Sequence, residues 1–174
     1  MPAEAGSSAL IRATLFVRDL ERACRFYRTL GLTETYYSGE LTHPSATTVL
    51  GLTHHHPYPV TILKRPGPNF GMLGLFQLAA AQRARELAPP DGPAHIGEVA
   101  LVFYVGALDP ALAALRAAGA RWIAEPQRFE LGTIAQREVC LRDCDGTLIN
   151  LVERAPEAQD KRGPEITPEP GHAG

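Results

Sequence analysis

Three consecutive histidines, His54, His55 and His56, are the residues in this 174-residue chain that most directly suggest chemistry. Histidine is the commonest metal ligand in proteins, and histidine-rich tracts can bind metal. The run is followed by Pro57 and Pro59 and lies between two apolar stretches. A metal ligand must be directed inward by the element that carries it. The surrounding elements therefore decide whether the run is a site.

The three cysteines, Cys24, Cys140 and Cys144, are a second group with chemical potential. Their number is odd, and the chain is long enough to build a core without disulfides. We therefore expect reduced thiols and a cytoplasmic location. Cys140 and Cys144 are four residues apart, but no second pair completes a zinc site. We interpret them as structural residues.

Composition excludes several classes of partner. The formal net charge is −2 and 45% of the residues are hydrophobic, so bulk charge favours neither nucleic acid nor a membrane surface. Arg18, Arg22, Arg25 and Arg28 follow helical spacing, which is typical of a solvated helix face. No apolar stretch has the length of a membrane span, and the first residues do not resemble a signal peptide.

The chain contains one arrangement of elements twice. The stretch RDLERACRFYRTLGL has an N-cap residue, Asp19, an apolar stripe of helical period, and Gly31 where a helix would end. In the second half, Asp109 followed by Pro110 predicts another helix start. Three pairs share an offset of 88 residues: Val17 with Val105, Leu20 with Leu108, and Gly31 with Gly119. This constant offset indicates an internal duplication.

The two halves also end alike, in GMLGLFQL and in DGTLINL. Aligning these ends equates Gln77 with Asn150 at an offset of 73 residues. The first half then carries about 15 additional residues between its helix and its last strand. This insertion includes SATTVLGLTHHHPYP, so the histidine run falls where the second half has no counterpart. We interpret the run as a surface connection.

Each half is predicted to contain a strand, a helix and three further strands, which is an α+β arrangement with the helix on one face of a mixed sheet. Module one spans residues 8–83, a linker rich in proline and glycine spans 84–95, and module two spans 96–154. The tail, 155–174, is rich in proline, glycine and charge, and we expect it to be flexible.

This double βαβββ plan resembles the vicinal oxygen chelate superfamily, which includes glyoxalase I, extradiol dioxygenases and bleomycin-resistance proteins. The stretches that carry the resemblance are LFVRDLERACRFYRTLGL and DCDGTLINLVE. The resemblance implies a cup-shaped mixed sheet with the helices outside. It also implies four inward side chains that bind a divalent metal, one from the first and one from the last strand of each module.

At those four places this sequence has Arg12, Gln77, Ala100 and Asn150, with Glu98 two residues before Ala100. Arginine has no lone pair to donate and repels a cation, and alanine contributes nothing. The amide oxygens of the other two residues are weak ligands for transition metals. We therefore expect no metal and no other cofactor, with a divalent metal at the family's place as the alternative.

By the two-residue period of a strand, the cup is lined by Arg12, Thr14 and Phe16 in module one and by Val102 and Tyr104 in module two. Arg12 either holds an anionic oxygen of a ligand or forms a buried salt bridge with Glu98. Gln77 and Asn150 either orient a polar ligand or satisfy each other. Glu98 is also the candidate general base, which requires a site dry enough to raise its pKa.

Two functions fit this pattern. The first is a metal-free protein that binds a small oxygenated or aromatic molecule, as bleomycin-resistance proteins do by sequestration. The alternative is an enzyme of the same superfamily, a lyase, an isomerase or a dioxygenase-like catalyst, either metal-dependent or cofactor-free. The expected partner is a small-molecule ligand, with no nucleic acid and no membrane. A homodimer is left open.

Overall fold

The computed structural model describes residues 8–52, 56–79, 92–131 and 134–160. The chain divides into two compact units, residues 1–87 and 88–174, and each contains one four-stranded sheet. His54 and His55, most of the predicted linker and residues 161–174 of the predicted tail lie outside the described residues. Residues 156–160, at the start of that tail, form a 3₁₀ helix.

Module one contains four strands and two helices. In chain order they are β1 (Arg12–Val17), α1 (Leu20–Thr29), β2 (Glu34–Leu41), α2 (Ser45–Val49), β3 (Tyr58–Lys64) and β4 (Met72–Gln77). The strand order in the sheet is β1-β4-β3-β2. Strands β1 and β4 are parallel, and the other neighbours are antiparallel.

Module two repeats this topology. Its elements are β5 (Ala100–Val105), α3 (Leu108–Ala117), β6 (Gln127–Leu131), β7 (Ile134–Arg142) and β8 (Leu148–Glu153). The strand order is β5-β8-β7-β6, again with the first and last strands parallel. The predicted α+β plan of two tandem βαβββ modules is therefore confirmed. The predicted cup depends on how the two modules are arranged and stays a prediction.

Helix α1 begins and ends as the sequence predicts. The Asp19 side chain accepts a hydrogen bond of 2.9 Å from the Arg22 amide, and Gly31 follows the helix with a φ of 90°. A side chain at that φ would be strained, which explains the glycine. The helix buries Phe26 and Tyr27 completely.

Helix α2, which is absent from the predicted order of elements, lies in the insertion. It has five residues, three of them β-branched, and no side chain caps its N-terminus. Such a segment carries no helical signal in its sequence. No described helix is long and apolar enough to cross a membrane.

Candidate functional site

The two faces of the sheet in module one have different neighbours. One face packs against α1. The other, which we call the open face, carries a buried apolar cluster of Val60, Ile62, Met72 and Phe76. Leu41 and Leu50 pack against this cluster, so the residue that follows α2 covers part of it. The insertion therefore shields apolar surface opposite α1.

Arg12 lies on this open face, the side of the sheet away from α1. A methyl group added at Gly74 would lie 3.0 Å from the Arg12 Cδ atom and 3.0 Å from the Phe76 ring, so the arginine passes over Gly74 beside the apolar cluster. Arg12 itself is exposed. No hydrogen bond or ion pair joins it to another residue within the described parts of the chain.

Two further predicted residues follow Arg12 on β1. Phe16 packs edge-to-face against Phe76, with 6.3 Å between the ring centroids, and remains 43% exposed. Thr14 is half-buried and lies opposite Gly74 in the parallel register. Together these side chains place one cation and an aromatic edge on a partly exposed apolar surface.

Gln77 does not share this face. Its Oε1 atom accepts a hydrogen bond of 2.9 Å from the Leu20 amide, so Gln77 caps the N-terminus of α1 on the opposite side of the sheet. In module two, Glu153 does the same for α3, since its Oε1 accepts from the Leu108 amide at 2.9 Å. The predicted equivalence of Gln77 with Asn150 is therefore wrong.

The sheet registers give the correct equivalence. Arg12 lies opposite Met72 in module one, and Ala100 lies opposite Leu148 in module two. The last strands therefore differ by 76 residues. On this offset Asn150 corresponds to Gly74, which has no side chain.

In module two, the side of the sheet away from α3 corresponds to the open face of module one, and Asn150 belongs to a polar group on it. Its Nδ2 atom donates to Glu138 Oε2 at 3.2 Å and to Cys140 Sγ at 3.6 Å. Gln136 donates from Nε2 to the other Glu138 oxygen at 2.8 Å. The mutual pairing predicted for Asn150 and Gln77 is replaced by pairing within this group, and the Asn150 carbonyl oxygen stays on the same partly exposed surface.

The first strand of module two contributes three predicted residues. Ala100 is exposed, and Val102 is 60% exposed. The Arg154 guanidinium lies 5.3 Å from the centroid of the Tyr104 ring, within the range of a cation–π contact. Along β5, Val102 and Tyr104 are two residues apart, so the strand period puts their side chains on the same face of the sheet.

Glu98 has a partner that the sequence interpretation did not identify. Its carboxylate binds Arg142 of the same module in a bidentate pair, with distances of 2.7 and 3.0 Å. Glu98 thus has a partner within its own module, and its salt bridge with Arg12, one of the two alternatives for that arginine, stays a prediction. Arg142 is fully buried, whereas the Glu98 side chain is 21% exposed.

The pair also determines the protonation of Glu98. Hydrogen bonding from Arg142, supported by the His95 amide at 2.7 Å, lowers the pKa of Glu98 from 4.5 to about 2. Glu98 is thus a carboxylate of very low basicity at neutral pH. This argues against its predicted role as a general base, which requires a pKa nearer to the working pH.

Arg142 was missed, although the sequence carries a signal for it. Lys64 ends β3, as Arg142 ends β7, and an apolar leucine precedes the basic residue in both strands. Lys64 binds the following turn through the Gly67 carbonyl and Asn69. A basic residue that closes the same strand in both halves indicates a duplicated anchoring role.

The donor chemistry at the four family places does not fit a divalent metal. The corrected set is Arg12, Gly74, Ala100 and Asn150, which contains one amide oxygen and one cation. Glu138 is the acid nearest to Asn150, and both of its oxygens already accept hydrogen bonds. Among the described residues, no group of three or more histidine, cysteine, aspartate or glutamate side chains could hold a metal ion.

The one described histidine of the run contacts its neighbours in sequence. His56 Nδ1 lies 2.6 Å from the Pro57 carbonyl oxygen, and its ring centroid lies 3.9 Å from that of Tyr58. When Nδ1 donates to this carbonyl, Nε2 keeps the lone pair of the ring, so the contact neither builds nor excludes a metal site.

Comparisons with known proteins agree on the type of protein. The Glyoxalase/Bleomycin resistance protein/Dioxygenase superfamily profile matches residues 9–151. A glyoxalase family protein from Bacillus cereus has a similar structure, with a TM-score of 0.66, 20% identity, and coverage of 86% of this chain and 96% of that one. No curated protein matches the sequence.

Two further solved structures have the same fold. A glyoxalase family protein from Enterococcus faecalis gives a TM-score of 0.54 at 17% identity, covering 83% of this chain and 97% of its own. A mutant of the fosfomycin resistance protein FosX from Listeria monocytogenes, in complex with Mn(II) and 1S,2S-dihydroxypropylphosphonic acid, gives 0.53 at 16% identity, covering 90% and 98%.

Proposed function

Since the chain belongs to the Glyoxalase/Bleomycin resistance protein/Dioxygenase superfamily, we propose that it binds a small oxygenated or aromatic molecule, and that Arg12 contacts an anionic oxygen of that ligand. The observation that carries this proposal is the Arg12 side chain, which lies over Gly74 beside an apolar cluster. A guanidinium in this setting offers two parallel donors to a carboxylate or phosphonate.

The surroundings of Arg12 determine the kind of ligand. Phe16, which is 43% exposed and packs edge-to-face on the buried Phe76, offers aromatic surface on the same face, and this suits an apolar or aromatic body attached to the anionic group. Apolar walls with a few placed polar groups are the usual composition of a ligand site. Module two has polar groups of its own: Asn150, whose Nδ2 atom donates to Glu138, offers an amide oxygen that can accept a hydrogen bond from a hydroxyl group.

We propose further that binding requires no metal ion. The donor set described above supports this, because Arg12 repels a cation and Gly74 and Ala100 have no donor atoms. A sequestering role, as in bleomycin-resistance proteins, needs only affinity. The enzymatic alternative relied on Glu98 to move a proton, and the low pKa of Glu98 disfavours it.

A panel of small organic anions tests the proposal. It should include aromatic carboxylates and 1S,2S-dihydroxypropylphosphonic acid, screened by thermal shift and followed by calorimetry on the best compound. We expect Arg12→Gln to weaken binding of that compound at least about tenfold, the effect of losing one charge-assisted hydrogen bond. Arg116→Gln, at an exposed position of α3, is the matched control and should leave the affinity unchanged.

Equal affinity of the wild-type protein and Arg12→Gln would overturn the role of Arg12. Elemental analysis of untagged protein tests the metal-free part separately. Stoichiometric zinc, manganese, nickel or iron that is lost in Asn150→Ala would overturn that part, because it would show that Asn150 holds a metal ion.

The cytoplasmic location and the homodimer also remain proposals. Cys24, Cys140 and Cys144 are free thiols, and this supports a reducing compartment. Size-exclusion chromatography with light scattering tests the oligomeric state, and a monomer at micromolar concentration would contradict the homodimer.

A further inference from the structure

Module one has a cavity on the face opposite Arg12, beside α1. Its volume is about 440 Å³, within the range of small-molecule sites. The polar residues that matter for its chemistry are Arg25, Arg28, Thr35, Ser38, Thr61 and Cys24. None of them belongs to the open face on which the proposed function depends.

An irregularity in β2 builds one wall of this cavity. Thr35 lies opposite Leu63 and Ser38 lies opposite Thr61, with a register shift between Thr35 and Tyr37. In a regular strand, residues three apart point to opposite faces. The shift adds one residue to β2, so both hydroxyl side chains face α1. Bulges of this kind redirect side chains and are frequent beside functional sites.

Three hydroxyl groups line this cavity. Ser38 and Thr61 hydroxyl oxygens lie 3.1 Å apart, and Thr61 is only 6% exposed. Arg28 Nη2 donates to Thr35 Oγ1 at 3.2 Å, which holds the exposed guanidinium at the cavity. The guanidinium has further N–H donors beyond this bond.

The charges favour an anion. Arg25 and Arg28 contribute two positive charges, and Glu21, the acidic residue of the lining, contributes one negative charge. The Glu21 carboxylate is highly exposed and lies 3.6 Å from Arg25. Cys24 below is 6% exposed, and burial raises the pKa of its thiol. The thiol is therefore neutral at physiological pH and does not repel an anion.

We propose that this cavity, which we call the arginine–hydroxyl cavity, binds a phosphate group, as inorganic phosphate or as a small phosphate monoester. Arg28 and Arg25 supply the charge, and the Ser38 and Thr35 hydroxyls supply oriented donors for the phosphate oxygens. This combination of guanidinium and hydroxyl donors is suited to a tetrahedral oxyanion. The site is separate from Arg12 and independent of the function proposed above.

Phosphate titration followed by amide chemical shifts tests the proposal. Inorganic phosphate and glycerol 1-phosphate are titrated into ¹⁵N-labelled protein, against sodium chloride of equal ionic strength. We expect saturable shifts at the Thr35 and Ser38 amides with phosphate and none with chloride. The phosphate monoester arm distinguishes the two sources: tighter binding of glycerol 1-phosphate identifies an ester ligand, and equal binding identifies the phosphate group alone.

Three variants sharpen the test. Arg28→Gln should weaken phosphate binding at least about tenfold, the loss of one charge-assisted hydrogen bond. Glu21→Gln should strengthen it a few-fold, because it removes the negative charge from the lining. Arg22→Gln, at an exposed position of α1 outside the cavity, should leave binding unchanged.

Two outcomes would overturn the proposal. One is a linear, unsaturated response that chloride reproduces, which would mean ionic screening only. The other is equal weakening in Arg22→Gln and Arg28→Gln, which would show that overall helix charge matters and the cavity does not.

Discussion

Replacing Arg142 with methionine tests the one fully buried arginine of module two. The guanidinium donates five hydrogen bonds: two to the Glu98 carboxylate and one each to the Gly92, Pro93 and Gly146 carbonyls. Methionine fills similar space and donates none. The substitution therefore leaves these acceptors without their partner while the packing around them is largely kept.

The expected loss of stability follows from these acceptors. Glu98 and the exposed Pro93 can recover water, but Gly92 and Gly146 are buried, and their carbonyls receive bonds from Arg142 at 3.3 and 2.8 Å. Each buried acceptor without a partner costs about 1–3 kcal/mol. We expect Arg142→Met to lower the free energy of unfolding by at least the cost of one such acceptor. For a unit of about 90 residues that corresponds to roughly 4–8 °C in Tm per kcal/mol.

The loss should be local as well as global. Arg142 joins residues 92–98 to the end of β7, so the variant should exchange the amide hydrogens of that segment faster than wild type. Hydrogen exchange with mass spectrometry measures this, and chemical denaturation measures the global change. Arg116→Met, at an exposed position of α3, is the control and should change neither quantity.

The pair also predicts a pH dependence with a definite sign. The pKa of Glu98 is lowered from 4.5 to about 2 in the folded state. The contribution of the ionised Glu98 to the stability of the fold is therefore fully present above pH 4.5 and is lost as the pH falls towards 2. The stability difference between wild type and Arg142→Met should therefore shrink across that window. A difference that is constant from pH 6 to pH 2, or wild-type exchange of residues 92–98 in the variant, would refute this reasoning.

Substitutions at two further positions, Gly74 and Gln77, test the corrected equivalence of the modules. Gly74→Ala places a methyl group 3.0 Å from the Arg12 side chain and the Phe76 ring. Overpacking of this kind costs about 1–3 kcal/mol, so calorimetry should show a lower Tm. An unchanged Tm would mean that both side chains move freely. Gln77→Ala removes the cap of α1 and should cost about 0.5–1.5 kcal/mol in urea denaturation, whereas Gln77→Glu, which keeps the acceptor, should retain most of that stability; equal losses in the two variants would contradict the capping role.

The fold could be predicted because the signals that specify it are local and repeated. Asp19, Gly31 and the constant offset of 88 residues identified the first strand and the helix in both halves, and the structure confirms these elements. The candidate site depends on how the last strands of the two modules align, and there the prediction was three residues off, because the offset is 76 and not 73. The prediction matched Gln77 with Asn150 because both are amides at the end of an apolar strand, whereas the structural partner of Gln77 is Glu153.

What the sequence could not give is the partner of each polar group. Gln77 and Glu153 differ in charge but serve the same orphan amides at a helix N-terminus, so their common role is visible only once the helix lies beside the strand. Glu98 and Arg142 are 44 residues apart, and no spacing rule links them. Long-range pairs of this kind follow from tertiary structure.

The corrected register shows that two sheets of the same topology carry different side chains at equivalent positions. Val60 on β3 and Glu138 on β7 occupy equivalent positions, since each lies opposite the equivalent residue of the last strand in its module. Val60 belongs to an apolar cluster, whereas Glu138 is held by two amide side chains. A metal site of the family type takes donors from both modules. At its two places module one has Arg12 and Gly74, neither of which has a side-chain donor for a metal ion. A single substitution such as Gly74→Glu therefore cannot restore such a site, since the cation of Arg12 would pair with the new carboxylate before any metal ion could.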